Sequence, residues 1–227
     1  MTRTILFAIP TIDGKVNIDL ASNLFSVAQM LTLRGIASGV ASRTGCSIIQ
    51  KARSELAASA LAMPGVTDLF FIDADMWMPP EDIVRMIEAA EGKHVLSAMY
   101  ATQGDPPEIR ADSADGDKFE IDDDGCIEVK RIGTGAMIVR RHVLEAMAEK
   151  YNRLRFKSYG GRMETAMFDV PLTEEGYTGE DFNFCDDVRE LGFKIHALAD
   201  VTTHHIKTLD LPFNMAQYLK ENESKKQ

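Results

Sequence analysis

The chain has 227 residues, of which 45% are hydrophobic and 26% charged, the balance of an ordinary globular protein large enough for an ample core. The formal net charge is −10, but residues 112 to 128 carry eight acids against Lys118, a net −7, which leaves −3 elsewhere, so the acidity is local. No basic stripe is evident, which disfavours non-specific nucleic-acid binding.

No run approaches the ~18 apolar residues of a membrane span, and the apolar stretch at Thr4–Ile9 is too short for a signal-peptide core, so a cytoplasmic location is expected. Cys46, Cys126 and Cys185 are widely separated without Cys-x-x-Cys spacing and read as free thiols rather than a disulfide framework or a zinc site. No stretch is rich enough in Gly, Ser or Pro to be a linker. One domain over residues 1–220 is expected, with 221–227 as a disordered tail.

Thr4 to Ile9 reads as a first strand. Asn17 then caps a helix in which Leu20, Leu24, Val27, Ala28 and Leu31 recur at three- and four-residue steps until Gly35. Ile36 to Ser42 suits a second strand, and Ser47 to Met63 a second helix with Ile48, Ala52, Leu56 and Ala60 on one face, stopped by Pro64-Gly65. Asp68 to Asp73 is a third strand. Pro79-Pro80-Glu81 opens a helix through Glu91, because Pro is favoured in a first turn and acids suit the dipole there. Val95 to Tyr100 is a fourth strand.

Asp123-Asp124-Gly125 between Phe119-Glu120-Ile121 and Ile127-Glu128-Val129 is a hairpin signal, and its spacing fails the calcium-loop pattern. A strand at Gly135 to Val139, helices at His142 to Lys150 and Glu180 to Leu191, and strands at Lys194 to Ala197 and Val201 to His205 complete the chain. This alternation predicts an α/β fold, a mainly parallel sheet flanked by helices with an inserted acidic β-hairpin.

The most informative stretch is Leu69-Phe70-Phe71-Ile72-Asp73-Ala74-Asp75, a buried-strand pattern that ends in two carboxylates. In open α/β sheets ligands collect beyond the carboxyl ends of such strands. Period-two spacing would turn both acids to one side, where they could offer oxygens to Mg²⁺ or Mn²⁺. An isolated Asp-x-Asp is more often only an acidic cap.

Taken in order, Ala8-Ile9-Pro10-Thr11, Asp73-Ala74-Asp75, Gly133-Thr134-Gly135, Gly179-Glu180-Asp181 and Thr203-His204-His205 resemble a GT-A (Rossmann-like) glycosyltransferase, close to family 2-type enzymes and the short glycosyltransferase-like proteins of bacteria and phages. The resemblance covers roughly residues 5 to 206. It implies an enzyme that moves a sugar from a nucleotide-diphospho-sugar donor to a hydroxyl acceptor, with Mn²⁺ or Mg²⁺ as cofactor. By that resemblance Asp75 ligates the metal, Asp73 acts indirectly through the ribose or metal-bound waters, and His205 is the late metal ligand with His204 its competitor. Adjacent strand residues face opposite ways, so at most one of the two histidines would reach the metal. The donor site would include Pro10, Thr11, Arg53, Tyr100 and the Gly133-Thr134-Gly135 loop, with Gln103 near the sugar and Trp77 against the acceptor. Ser54 stands where relatives often carry Asn. Asp181 would be the general base of an inverting transfer, and Glu180 a second catalytic-site acid that serves acceptor binding more than chemistry.

From the residues alone, Thr178 with Asp181 also imitates a capping box, and Arg53 reads as an exposed helix residue. A sugar nucleotidyltransferase is the second enzyme reading, weakened because Pro10-Thr11-Ile12-Asp13-Gly14 holds a single Gly. A haloacid-dehalogenase-like phosphatase ranks lower, since that family places its Asp-x-Asp after the first strand. A non-catalytic GT-A module that binds nucleotide-sugar is the alternative outside catalysis. The sugar and the acceptor, whether saccharide, lipid-linked, protein or modified base, are not legible.

Overall fold

The computed structural model describes residues 3–102, 108–116, 118–152, 154–174, 176–206 and 210–224. Its first half is regular: β1 (Thr4–Thr11), α1 (Ile18–Leu33), β2 (Ala37–Thr44), α2 (Ile49–Leu61), β3 (Asp68–Ile72), the two-residue β4 (Met76–Trp77), α3 (Pro80–Ala89) and β5 (Val95–Ala98). Then come β6 (Ala101–Thr102), β7 (Glu108–Ile109), β8 (Ala111–Ser113), β9 (Cys126–Ile132), β10 (Ala136–Arg140) and α4 (Arg141–Lys150). Two small ribbons, β11 (Arg155–Lys157) with β12 (Met163–Thr165) and β13 (Leu172–Thr173) with β14 (Gly176–Tyr177), precede α5 (Glu180–Glu190). The chain closes with β15 (Ile195–Leu198), β16 (Thr203–Ile206), β17 (Asp210–Phe213) and α6 (Met215–Ser224). Helical backbone thus continues past Glu221, where the sequence suggested that order ends; residues 225–227 lie outside the described residues.

Local chemistry accounts for the early elements. Asn17 Oδ1 accepts the Asp19 amide at 2.7 Å and caps α1, which buries Leu20, Leu24, Val27 and Leu31 and ends before Gly35 at φ +70°. α3 starts on Pro80 with Glu81 and Asp82 in its first turn. α2 begins at Ile49 without a side-chain cap, and Ala52, Leu56 and Ala60 are buried while Ile48 is exposed before it.

The central sheet has the order β2-β1-β3-β10-β5-β15-β9-β8. Six strands point one way and only β10 and β9 run against them. Alternate side chains of β1 and β3 enter two separate cores. Ile5, Phe7, Phe70 and Ile72 pack against α1 and α3, whereas Leu6, Ala8, Leu69 and Phe71 pack against α2, α4 and α5. The result is an α/β/α sandwich whose middle strands are buried on both faces. Among the described residues no helix is long and apolar enough to cross a membrane, and the three cysteines are free thiols.

The acidic segment differs from expectation in one arm. Its turn forms, with the Asp122 amide donating to Cys126 O at 2.8 Å and Gly125 at φ +75°, but Phe119–Ile121 is not a strand. β9 belongs to the central sheet, paired with β15 on one side and β8 on the other. The difference follows burial: Cys126, Ile127 and Val129 enter the cores, whereas of the other arm Phe119 is only partly buried and Ile121 is exposed.

Candidate functional site

An open cavity of about 810 Å³ lies at the carboxyl edge of the parallel strands. Pro10 and Thr11 reach it at the end of β1. β3 pairs with β1 only as far as Ala8, so the missing Pro10 N–H leaves no gap in that ladder. The Thr11 hydroxyl donates to Lys15 O at 2.8 Å and braces the loop into α1.

β3 ends at Ile72, one residue short of expectation. The Met76 amide donates to Asp73 O at 2.9 Å, so Asp73-Ala74-Asp75 is a turn and not two positions on one strand face. The two acids therefore diverge while both line the cavity. Asp73 takes a two-pronged contact from Arg53, Nη1 to Oδ1 at 2.9 Å and Nη2 to Oδ2 at 3.2 Å. Arg53 also reaches Glu180 Oε1 at 3.4 Å through Nε. Far from being exposed, Arg53 is 4% accessible. Burial works against its charge, yet Asp73 and Glu180 together raise its pKa above the ordinary arginine value.

Asp75 turns the other way. Its carbonyl accepts the Ile206 amide at 2.7 Å, and β4 pairs antiparallel with β16, so that His205 lies opposite Met76 and His204 opposite Trp77. His205 Nε2 stands 3.6 Å from Asp75 Oδ2, while His205 Nδ1 is 3.3 Å from Ala101 O. His204 instead stacks on Trp77 with centroids 3.7 Å apart and planes within 8°. Neither His204 nor Trp77 lines the cavity.

These contacts bear on whether a divalent cation fits. The Ala101 carbonyl accepts from Nδ1, so in the neutral imidazole Nε2 is the nitrogen with a lone pair toward Asp75 Oδ2. Two electron-rich donors opposed in this way, with the other ring nitrogen held by a backbone carbonyl, suit a metal between them. Imidazole with carboxylate favours Mn²⁺ over Mg²⁺. Asp75 and His205 form a pair, and among the described residues no cluster of three or more His, Cys, Asp or Glu side chains could hold a metal ion.

Tyr100 closes the floor. Its ring meets His205 edge-on at 5.3 Å. A Cβ on Gly133 would collide with Tyr100 Oη and stand 2.7 Å from Cζ, and one on Gly135 would stand 2.9 Å from Cε1. Neither glycine has a positive φ, so both are needed for space alone. The Gly133-Thr134-Gly135 loop was expected to admit a sugar closely. The group it admits is the Tyr100 ring, which separates the loop from the cavity that Tyr100 itself lines. Burial, then the charges of Asp73 and Asp181, push the Tyr100 phenol well above its usual pKa. Thr134 is fully buried.

α5 is capped by Gly179 without a side-chain bond, so Thr178 and Asp181 do not form the capping box. Asp181 lines the cavity and accepts the Phe182 amide at 2.8 Å. Burial, reinforced by the neighbouring Glu180 charge, raises the Asp181 pKa. Glu180 does not line the cavity and is turned to Arg53. Ser54 is buried, with its hydroxyl accepting the Phe168 amide at 3.1 Å. Gln103 lies outside the described residues.

The sequence did not single out Asp13, Lys15, Ser47, Thr102 or Arg110, all of which line the cavity. No local motif marks them: Thr102 and Arg110 are brought together by the β6–β7 pairing, and Asp13 and Lys15 lie in the loop that Thr11 braces.

No known protein-family profile matches this chain, and no curated protein matches its sequence. Among solved structures it is similar to A197 from STIV, with a TM-score of 0.56, 19% identity, and coverage of 95% of this chain and 91% of that one. That likeness is one of fold. A glycosyltransferase involved in the glycosylation of the major capsid of PBCV-1 aligns at a TM-score of 0.36 and 13% identity over 63% of this chain and 62% of that one. HddC from Yersinia pseudotuberculosis aligns at 0.37 and 11% over 64% and 80%. Both likenesses are too distant to carry a conclusion about this site.

Proposed function

We propose that this protein transfers a sugar from a nucleoside-diphosphate sugar to an acceptor hydroxyl, with a divalent cation held by Asp75 and His205. The observation that supports the reading is the Asp75–His205 pair, 3.6 Å apart, in the same cavity as Asp181. When bound, Mn²⁺ supplies positive charge for the departing diphosphate. Ala101 O fixes the tautomer and orientation of His205. Arg53 holds Asp73, and with it the turn that aims Asp75.

Asp181 takes the acceptor proton as the hydroxyl oxygen bonds to the anomeric carbon. The bond from that carbon to the diphosphate breaks on the opposite face, and the configuration inverts. A carboxylate whose pKa is raised is a stronger base than an ordinary one, which suits this role.

The test is a screen of nucleotide-sugars with Mn²⁺, with slow donor hydrolysis as the readout. One donor class should be hydrolysed by the wild type and spared by Asp75→Ala. Hydrolysis that survives both Asp75→Ala and chelation of Mn²⁺ would refute a role for this pair.

A further inference from the structure

The cavity has a charge imbalance that the proposed reaction leaves unused. Four aspartates line it: Asp13, Asp73, Asp75 and Asp181. Of the cationic side chains there, Lys15 Nζ is 3.2 Å from Asp13 Oδ2, and Arg53 is committed to Asp73 and Glu180. Arg110 also lines the cavity, and its guanidinium has no ion pair or hydrogen bond with any of the described residues.

The backbone of Arg110 is nevertheless fixed. Its carbonyl accepts the Gly133 amide at 3.0 Å, and the preceding Ile109 pairs with Ala101 across β6 and β7. Ala101 is the residue whose carbonyl faces His205 Nδ1. Arg110 therefore stands one residue beyond a backbone pair that touches His205, and lines the same cavity as Asp75. An unpaired guanidinium on a fixed stem is suited to an anion, and its planar fork matches phosphate oxygens two at a time.

We propose that Arg110 grips the diphosphate of the donor and balances the negative charge that develops on it as the sugar departs. This inference rests on the reading of the cavity as a nucleoside-diphosphate-sugar site. When the anomeric carbon–oxygen bond breaks, its electron pair stays on the diphosphate oxygen, and Arg110 balances part of that charge.

The experiment compares UDP, GDP and ADP with the matching nucleosides by calorimetry in Mn²⁺, for wild type, Arg110→Ala, Arg110→Lys and Asp75→Ala. For whichever nucleotide binds, Arg110→Ala should weaken the diphosphate by about tenfold to a hundredfold, as expected for a hydrogen-bonded charged partner. The nucleoside should bind unchanged, and Arg110→Lys should recover part of the loss. Unchanged diphosphate affinity in Arg110→Ala, or an equal loss for the nucleoside, overturns the assignment. Loss of acceptor affinity alone would place Arg110 at the acceptor instead and overturns it equally. Asp75→Ala separates the two levels: if it leaves nucleotide binding intact, the site reading fails, and if it abolishes binding while Arg110→Ala does not, only the role of Arg110 fails.

Discussion

Gly133→Ala tests whether the position of Tyr100 governs the site. The new methyl would collide with Tyr100 Oη and stand 2.7 Å from Cζ and 3.0 Å from Cε1. The ring must shift away from the new methyl, and His205 packs edge-on against it at 5.3 Å. Overpacking of this kind costs about 1–3 kcal/mol. For a protein of this size each kcal/mol shifts Tm by about 2–4 °C, so a fall of roughly 2–12 °C is expected by calorimetry. Displacing the ring should also loosen His205, and losing such outer support of a ligand costs about 10- to 100-fold in metal affinity, read here by Mn²⁺ titration. Gly65→Ala is the control, since nothing lies within 4 Å of its Cβ. In a Tyr100→Ala background Gly133→Ala should be nearly neutral, giving a coupling well above the ~0.5 kcal/mol scatter of independent sites. Additive effects in that cycle, or a Gly133→Ala protein with wild-type Tm and Mn²⁺ affinity, would refute the reasoning.

His205→Ala should lower Mn²⁺ affinity by about tenfold or more while His204→Ala, whose ring stacks on Trp77, should not; the reverse ranking in a titration would exchange their roles. Asp181→Asn should slow sugar transfer by about 10² to 10⁴ with donor affinity unchanged, and a retained anomeric configuration in the wild-type product would rule out its role as base. Because the folded-state pKa of Asp181 is raised, its ionised form costs stability once pH exceeds that value. Asp181→Asn should therefore raise Tm at pH 7, with the gain shrinking as pH falls through the raised folded-state value and lost below about 4, the unfolded aspartate value. Arg53→Met leaves Asp73 and Glu180 without their shared cation and should cost about 3–5 kcal/mol in urea unfolding; Arg53→Lys should restore only part, because an ammonium cannot reproduce the two-pronged contact. An unchanged urea midpoint for Arg53→Met would show that the buried pair is energetically neutral.

The elements whose causes are local were legible in the sequence. α1 carries its own cap in Asn17 and its own apolar face, α3 its Pro80 start, and β3 its run of five buried residues, so each could be read within a few residues of its bounds. The cluster of acids near the strand end was legible too, because two aspartates after an apolar run stand out in composition alone. What the sequence could not determine was which strands lie beside which, since pairing joins residues far apart along the chain. β10 enters antiparallel between β3 and β5, and β9 joins the sheet where a hairpin arm was expected. The same non-local pairing buries Arg53 against Asp73, divides His205 from His204, and makes Gly133 and Gly135 the wall behind Tyr100. Arg110 enters the cavity only because Ile109 pairs with Ala101. Local periodicity and capping are written in neighbouring residues, whereas the site is a meeting of strand ends, and that meeting exists only once the sheet has closed.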